Sequence, residues 1–200
     1  MARGDGSYHR EDLRSELLAA ARQFVSDHGH EGLSVRKLAQ IVGVSAGAPY
    51  HHFPDRRSLL LAVALEGYDE MNALGKRASD TAVPGRDQLF AMSHSFLVFA
   101  ARHSRLFELM YESELTRPKV DPMIGIAQRK GFEILHEGVV TTLGADTQAD
   151  VGVRVATLWS TIYGFALLRD RHMMAPHDEI SEPRSERTAD AIIWHAISNI

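Results

Sequence analysis

At 200 residues, with 44% apolar and 24% charged side chains, the chain is long enough to bury a sizeable core and has the balance of an ordinary globular protein. It has no cysteine, which excludes disulfides and thiolate metal sites. The net charge of −4 argues against a uniformly basic nucleic-acid binder, yet residues 1–60 carry +1 with five histidines while residues 61–200 carry −5.

The predicted elements are helical from end to end. The opening "MARGDGSYHRED" is polar and unlike a signal peptide. Leu13, Leu17, Leu18, Ala21, Phe24 and Val25 then fall on one stripe, and Gly29 is placed to end that helix. Ser34 can cap a second helix with the apolar face Val35, Leu38, Ala39 and Val42, broken by Gly43. Ser45 is expected to cap a short third helix that closes at Phe53-Pro54. Asp55 can cap a fourth, which buries Leu59, Leu60, Val63 and Ala64 and runs to about residue 78. Past Pro84-Gly85, further helical windows lie over roughly 86–103, 104–114, 119–143, 148–173 and 185–199, separated by stretches rich in Pro, Gly, Asp and Ser. The longest apolar run, 155–168, is too short to span a bilayer and reads as a buried helix. No period-2 strand and no repeat is visible. The expectation is an all-α fold of about nine helices, cytoplasmic, with no cofactor and no membrane partner.

The joint between the second and third helices carries the functional signal. Ala39 is small where two helices must cross, and Gly43 suits a turn residue with positive φ. Val44 anchors the turn. That spacing makes a helix-turn-helix, whose second helix enters the major groove of DNA. Ser45, Ala46, Gly47 and Ala48 are small enough for close approach to the double helix, and Tyr50, His51 and His52 offer flat hydrogen-bonding rings for phosphates and bases. Pro49 lacks an N–H and disfavours α geometry at Ala48, so the third helix is expected to be short, with a tightened first turn. Arg56 and Arg57 open the fourth helix against its dipole, a local conflict that hints at a phosphate nearby.

The string "LSVRKLAQIVGVSAGAPYHHFPDRRSLLLAV" resembles the N-terminal domain of TetR-family transcriptional regulators. Ser34, Leu38-Ala39, Gly43-Val44-Ser45, Tyr50-His51-His52-Phe53, Arg56 and Leu59-Leu60 match the family pattern in order and spacing. The resemblance implies a homodimeric, ligand-responsive repressor, not an enzyme, that binds double-stranded palindromic operator DNA. Carried over, it places Tyr50 and His52 on phosphates and Ser45, Ala46 and His51 toward base edges. Ser34 caps the second helix and Arg36 reaches DNA from it. Arg56 stands where a lysine is usual. The recognition helix is not strongly basic, so affinity leans on helix dipoles and on Arg14, Arg36, Lys37 and Arg56. The implied division is a DNA-binding domain over 1–56 and a ligand-binding and dimerisation domain over 57–200. Later in the chain, "TLWSTIYGFALL" is similar to the Trp-x3-His-Gly signature of one class of such C-terminal domains, with Trp159 and Gly164 matching and Tyr163 in the usual histidine position.

Phe96, Phe99, His103, Phe107, Met110, Tyr111, Met123, Trp159 and Tyr163 combine apolar walls with polar tips, as ligand pockets do, and suggest a small, largely apolar effector. Each is also an ordinary core residue type. Leu158, Ile162, Phe165 and Ala166 on one late helix, and Ala189, Ile192, Ile193 and Ala196 on the last, give apolar stripes suited to a four-helix bundle between two subunits. The adjacent His51 and His52 point about 100° apart on a helix and make a poor metal site. His172 and His177 flank a loop and give only a weak metal guess. A helical enzyme or carrier with a vestigial N-terminal domain is the competing reading, and Tyr50→Ala separates the two by its effect on DNA affinity.

Overall fold

The computed structural model describes residues 5–117, 119, 121–144, 150–176 and 182–200. His177 and the turn expected at 145–149 lie outside them. Eight α-helices follow in chain order: α1 (Asp5–His28), α2 (Val35–Val42), α3 (Arg56–Thr81), α4 (Arg86–Arg102), α5 (Ser104–Tyr111), α6 (Pro122–Leu143), α7 (Val151–Asp170) and α8 (Glu186–Ser198). Two short 3₁₀ segments, Ala48–His51 and Glu114–Thr116, accompany them, and among the described residues there is no strand. The third of the nine expected helices is thus the first of these 3₁₀ segments.

The chain forms two compact units, residues 1–68 with 105–126, and residues 69–104 with 127–200. In the first, Leu17, Leu18, Ala21 and Val25 of α1 are buried with Leu33, with Val35, Leu38 and Ala39 of α2, with Phe53, and with Leu59, Leu60, Val63 and Ala64 of α3. The same unit takes in α5. The buried Tyr68 hydroxyl donates to the Met110 carbonyl at 2.7 Å. Gly67 permits the close approach, since a Cβ there would lie 2.6 Å from the Met110 sulfur and 3.3 Å from Leu106. Burying this face is what holds short elements such as α2, which would be marginal alone.

In the second unit Leu89, Met92, Leu97, Phe99 and Ala100 of α4 are buried, as are Val155, Leu158, Ile162, Phe165 and Ala166 of α7 and Ala189, Ile193 and Ile197 of α8. The half-buried Arg169 donates to the Leu97 carbonyl at 2.5 Å and lies over the Phe165 ring, 5.4 Å from its centroid. Burial pushes its pKa down from the ordinary arginine value, while Asp170 and Glu186 oppose that shift.

Two expectations are corrected here. Of the apolar residues assigned to a subunit interface, Leu158, Ile162, Phe165, Ala166, Ala189 and Ile193 are buried within the chain itself; only Ile192 and Ala196 stay partly open. α7, in turn, is not a buried helix. It is the one helix among the described residues long and apolar enough to cross a membrane, yet only 28% of its apolar window is covered. The reason is shared: α7 is apolar on nearly every side, so its composition does not say which side meets the core.

Candidate nucleic-acid interface

Each part of the helix-turn-helix is fixed by a local device. Ser34 is in extended geometry, and its Oγ accepts the Lys37 backbone N–H at 3.1 Å, an N-cap that starts α2. Gly43 ends α2 at φ 80°, ψ 27°, and the N–H groups of Gly43 and Val44 both donate to the Ala39 carbonyl at 3.0 Å. That conformation costs a residue with a Cβ about 1 kcal/mol. Val44 is half-buried, so the turn is anchored as its sequence suggests.

The segment after the turn is a single 3₁₀ turn. The expected cap, Ser45, lies outside it: the Ser45 carbonyl accepts from the Ala48 N–H at 3.1 Å, while Gly47 takes the cap position without a side-chain bond. Pro49 sits in the first turn and is buried. Pro54 disfavours helical geometry at Phe53. The segment Ala48–His51 winds around Pro49 and stops short of Phe53-Pro54, so it has room for one turn only and takes the tighter 3₁₀ pitch. Phe53 is buried and receives Arg14 over its ring at 5.4 Å, so Arg14 is committed to packing on its own unit.

One face of this assembly stays in solvent. Ser34, Arg36 and Lys37 are exposed at the start of α2; Ser45, Ala46, Gly47, Tyr50 and His51 are exposed along the turn and the 3₁₀ segment; His52 is half-buried. Tyr50, a large and partly apolar side chain, is 49% exposed. Gln40 and Ile41 join that exposed set from the end of α2, with Ile41 at 45%. The sequence contained their signal, because the inward stripe 35, 38, 39, 42 leaves both outside.

Asp55 caps α3. Its Oδ1 accepts the Ser58 N–H at 2.7 Å, and the Ser58 hydroxyl reaches back to the Asp55 carbonyl at 2.8 Å. The bond from the Ser58 N–H outweighs an opposing desolvation and, with the Ser58 hydroxyl and the Arg57 charge, holds the Asp55 carboxyl below its ordinary pKa. Arg56 has intramolecular partners that the sequence did not suggest. Its Nε donates to the Leu33 carbonyl at 2.7 Å, and its Nη2 donates to the carbonyls of His30 at 2.7 Å and Glu31 at 3.3 Å. The guanidinium is therefore spent on the α1–α2 connection.

The residues expected around an effector are divided between the two units. Phe107, Met110, Tyr111 and Met123 belong to the first unit. There Phe107 and Met110 are core, and Tyr111 stands edge-on to Tyr68 at 5.3 Å. Met123 is 52% exposed, which leaves it lining no interior. In the second unit Phe96 meets Trp159 edge-on at 5.1 Å, Trp159 stacks on Tyr163 at 5.7 Å, and the buried Phe99 tilts against His103 at 4.9 Å. A groove of about 370 Å³ in the same unit is lined by other residues of α4, α7 and α8, among them Leu97, Ala166, Arg169 and Ala189. Among the described residues no three His, Asp or Glu side chains are placed to hold a metal ion.

Residues 17–63 match the family model described as bacterial regulatory proteins, tetR family, and residues 89–192 match that of the tetracyclin repressor-like C-terminal domain. Over 53 residues the chain is 49% identical to the HTH-type transcriptional repressor AcnR of Corynebacterium diphtheriae, covering 26% of this chain and 28% of that protein. Over 119 residues it is 29% identical to the HTH-type transcriptional activator FasR of Mycolicibacterium smegmatis, covering 59% of this chain and 54% of that one. The matches thus span little more than a quarter of the repressor and about half of the activator. A solved structure of a protein of unknown function from Rhodococcus sp. RHA1 superposes with a TM-score of 0.76 at 30% identity, over 96% of this chain and 98% of that one.

Proposed function

The chain belongs to the TetR family of bacterial regulatory proteins, and from that premise we propose that it is a cytoplasmic, homodimeric transcriptional repressor. It binds a palindromic operator and is released by a small, largely apolar effector. The observation that carries this reading is the helix-turn-helix face. A glycine in left-handed geometry joins α2 to the 3₁₀ segment, and on that face Arg36, Lys37, Ser45, Ala46, Gly47, Tyr50 and His51 are all exposed. Phosphate contacts from Arg36, Lys37, Tyr50 and His52, together with the N-terminus of α2 capped by Ser34, set the register; Ser45, Ala46 and His51 face the base edges. The functional division places DNA reading in 1–56 and effector and partner binding in 57–200.

Two copies are needed to read a palindrome, with half-sites about 34–36 Å apart. The dimer surface we assign is the uncovered side of α7, where Val153, Ala156, Thr157, Ser160 and Leu168 are exposed, with the partly open Ile192 and Ala196 of α8. The side chains at 156, 157 and 160 are small, so a partner helix can approach closely. The effector is assigned to the second unit, near the Phe96–Trp159–Tyr163 ladder. It releases DNA by binding the DNA-incompetent arrangement more tightly than the competent one.

The test is a gel shift of the purified protein against the DNA upstream of its own gene, followed by selection from random duplexes where that DNA is not bound. Sequence-selective binding by a dimer is the expected result. With on the order of eight phosphates neutralised per dimer, log K falls against log salt with a slope of about −7. A flat salt response, or failure to select any duplex, contradicts the proposal.

A further inference from the structure

We propose that Arg56 is a positioning residue for DNA binding, which acts through the α1–α2 connection and Ser34 and does not itself hold a phosphate. The inference rests on the DNA-binding reading above and deepens it. A cation in the first turn of α3 is unfavourable for that helix's own dipole. The conflict is resolved by its partners. Arg56 is half-buried, and its Nε and Nη2 reach the carbonyls of Leu33, His30 and Glu31. These carbonyls follow directly on the end of α1, where Gly29 closes the helix through a bond to the Val25 carbonyl. A cation is favoured there.

The consequence for α2 follows from covalent geometry. The Leu33 carbonyl that Arg56 grips lies in the same peptide plane as the Ser34 nitrogen. Fixing that plane fixes the cap residue. Ser34 accepts the Lys37 N–H on its Oγ and the Leu38 N–H on its carbonyl, the latter at 2.9 Å. Arg36 and Lys37 project from this first turn. Arg56 therefore ties the start of α3 to the start of α2 and sets where those two cations stand. A lysine cannot substitute, because an ammonium is a point charge without the planar fork that spans several carbonyls.

The experiment compares wild type with Arg56→Lys and Arg56→Met on a duplex that the wild-type dimer selects from a random library. Affinity is measured by anisotropy across a salt series, below each variant's unfolding transition, with hydrogen exchange at the Lys37 and Leu38 amides. Positioning predicts that both variants lose about tenfold or more in affinity, with the salt slope unchanged and faster exchange at both amides. Two results overturn it. In one, Arg56→Lys binds like wild type and Arg56→Met flattens the slope by about 2 per dimer, as a lost phosphate contact at each half-site requires. In the other, the affinity loss follows only the unfolded fraction and the two amides exchange as in wild type. A wild-type protein that selects no duplex overturns the DNA-binding reading, and the inference falls with it.

Discussion

α2 and α7 are both amphipathic in name, and they behave differently. α2 has eight residues, of which Val35, Leu38 and Ala39 are buried while Arg36, Lys37 and Gln40 stand in solvent. α7 has twenty residues, and its buried stripe of Val155, Leu158, Ile162, Phe165 and Ala166 is backed by an open side of Val153, Ala156, Thr157 and Ser160. In α2 charge marks the outside, so one reading of the period is possible. In α7 the stretch from 155 to 168 carries no charge, and both of its sides look like a core. The difference teaches that periodicity locates an inward face only where the other face is dear to bury.

The comparison can be broken most sharply on the buried side of α7. Leu158→Ala removes a side chain that is 1% exposed and is expected to destabilise the chain by about 2–5 kcal/mol, read from thermal or denaturant unfolding. If the stripe instead faced a partner subunit, the same change would leave a folded monomer and lower only the dimer fraction. Ala156→Glu is the complementary change. On the open side it should leave monomer folding near wild type and abolish the dimer in sedimentation, because a carboxylate would be buried without a partner.

Smaller effects belong to the first unit. Gly67→Ala overpacks the approach to Met110 and Leu106, with an expected loss of about 1–3 kcal/mol. Gly43→Ala forces a Cβ into left-handed geometry where no neighbour crowds it, so the loss should be about 1 kcal/mol of backbone strain and no more. The smallest effect is acid sensitivity at the α3 cap. Asp55 has a lowered pKa in the fold, so its contribution is complete above the ordinary aspartate range near about pH 4 and is lost as pH falls through the folded value. Asp55→Asn should remove that part of the acid dependence in a series of melts, while a variant as acid-sensitive as wild type would mean the cap does not matter.

How much of this was legible follows the same contrast. The caps at Ser34 and Asp55 and the turn at Gly43 could be read because each depends on a few neighbouring residues whose chemistry is unambiguous. The 3₁₀ pitch of 48–51 was half-legible: Pro49 announced a tightened start, but the cap moved from Ser45 to Gly47. The partners of Arg56 were not legible, because they are carbonyls more than twenty residues earlier and backbone carbonyls leave no mark in a sequence. A pocket wall and a core are hard to tell apart in sequence for a related reason. Phe107 and Met110 have the composition of a pocket wall and the position of a core.

The most direct measurement is an anisotropy titration of wild type and Tyr50→Ala against a duplex selected by the wild-type dimer, with a scrambled duplex as control. Tyr50 is half-exposed and lies outside the core, so the variant is expected to stay folded and dimeric. Tight, sequence-selective binding by wild type and a loss of about tenfold or more in the variant are expected. Equal affinity of the two proteins for the selected duplex would contradict the DNA-binding reading.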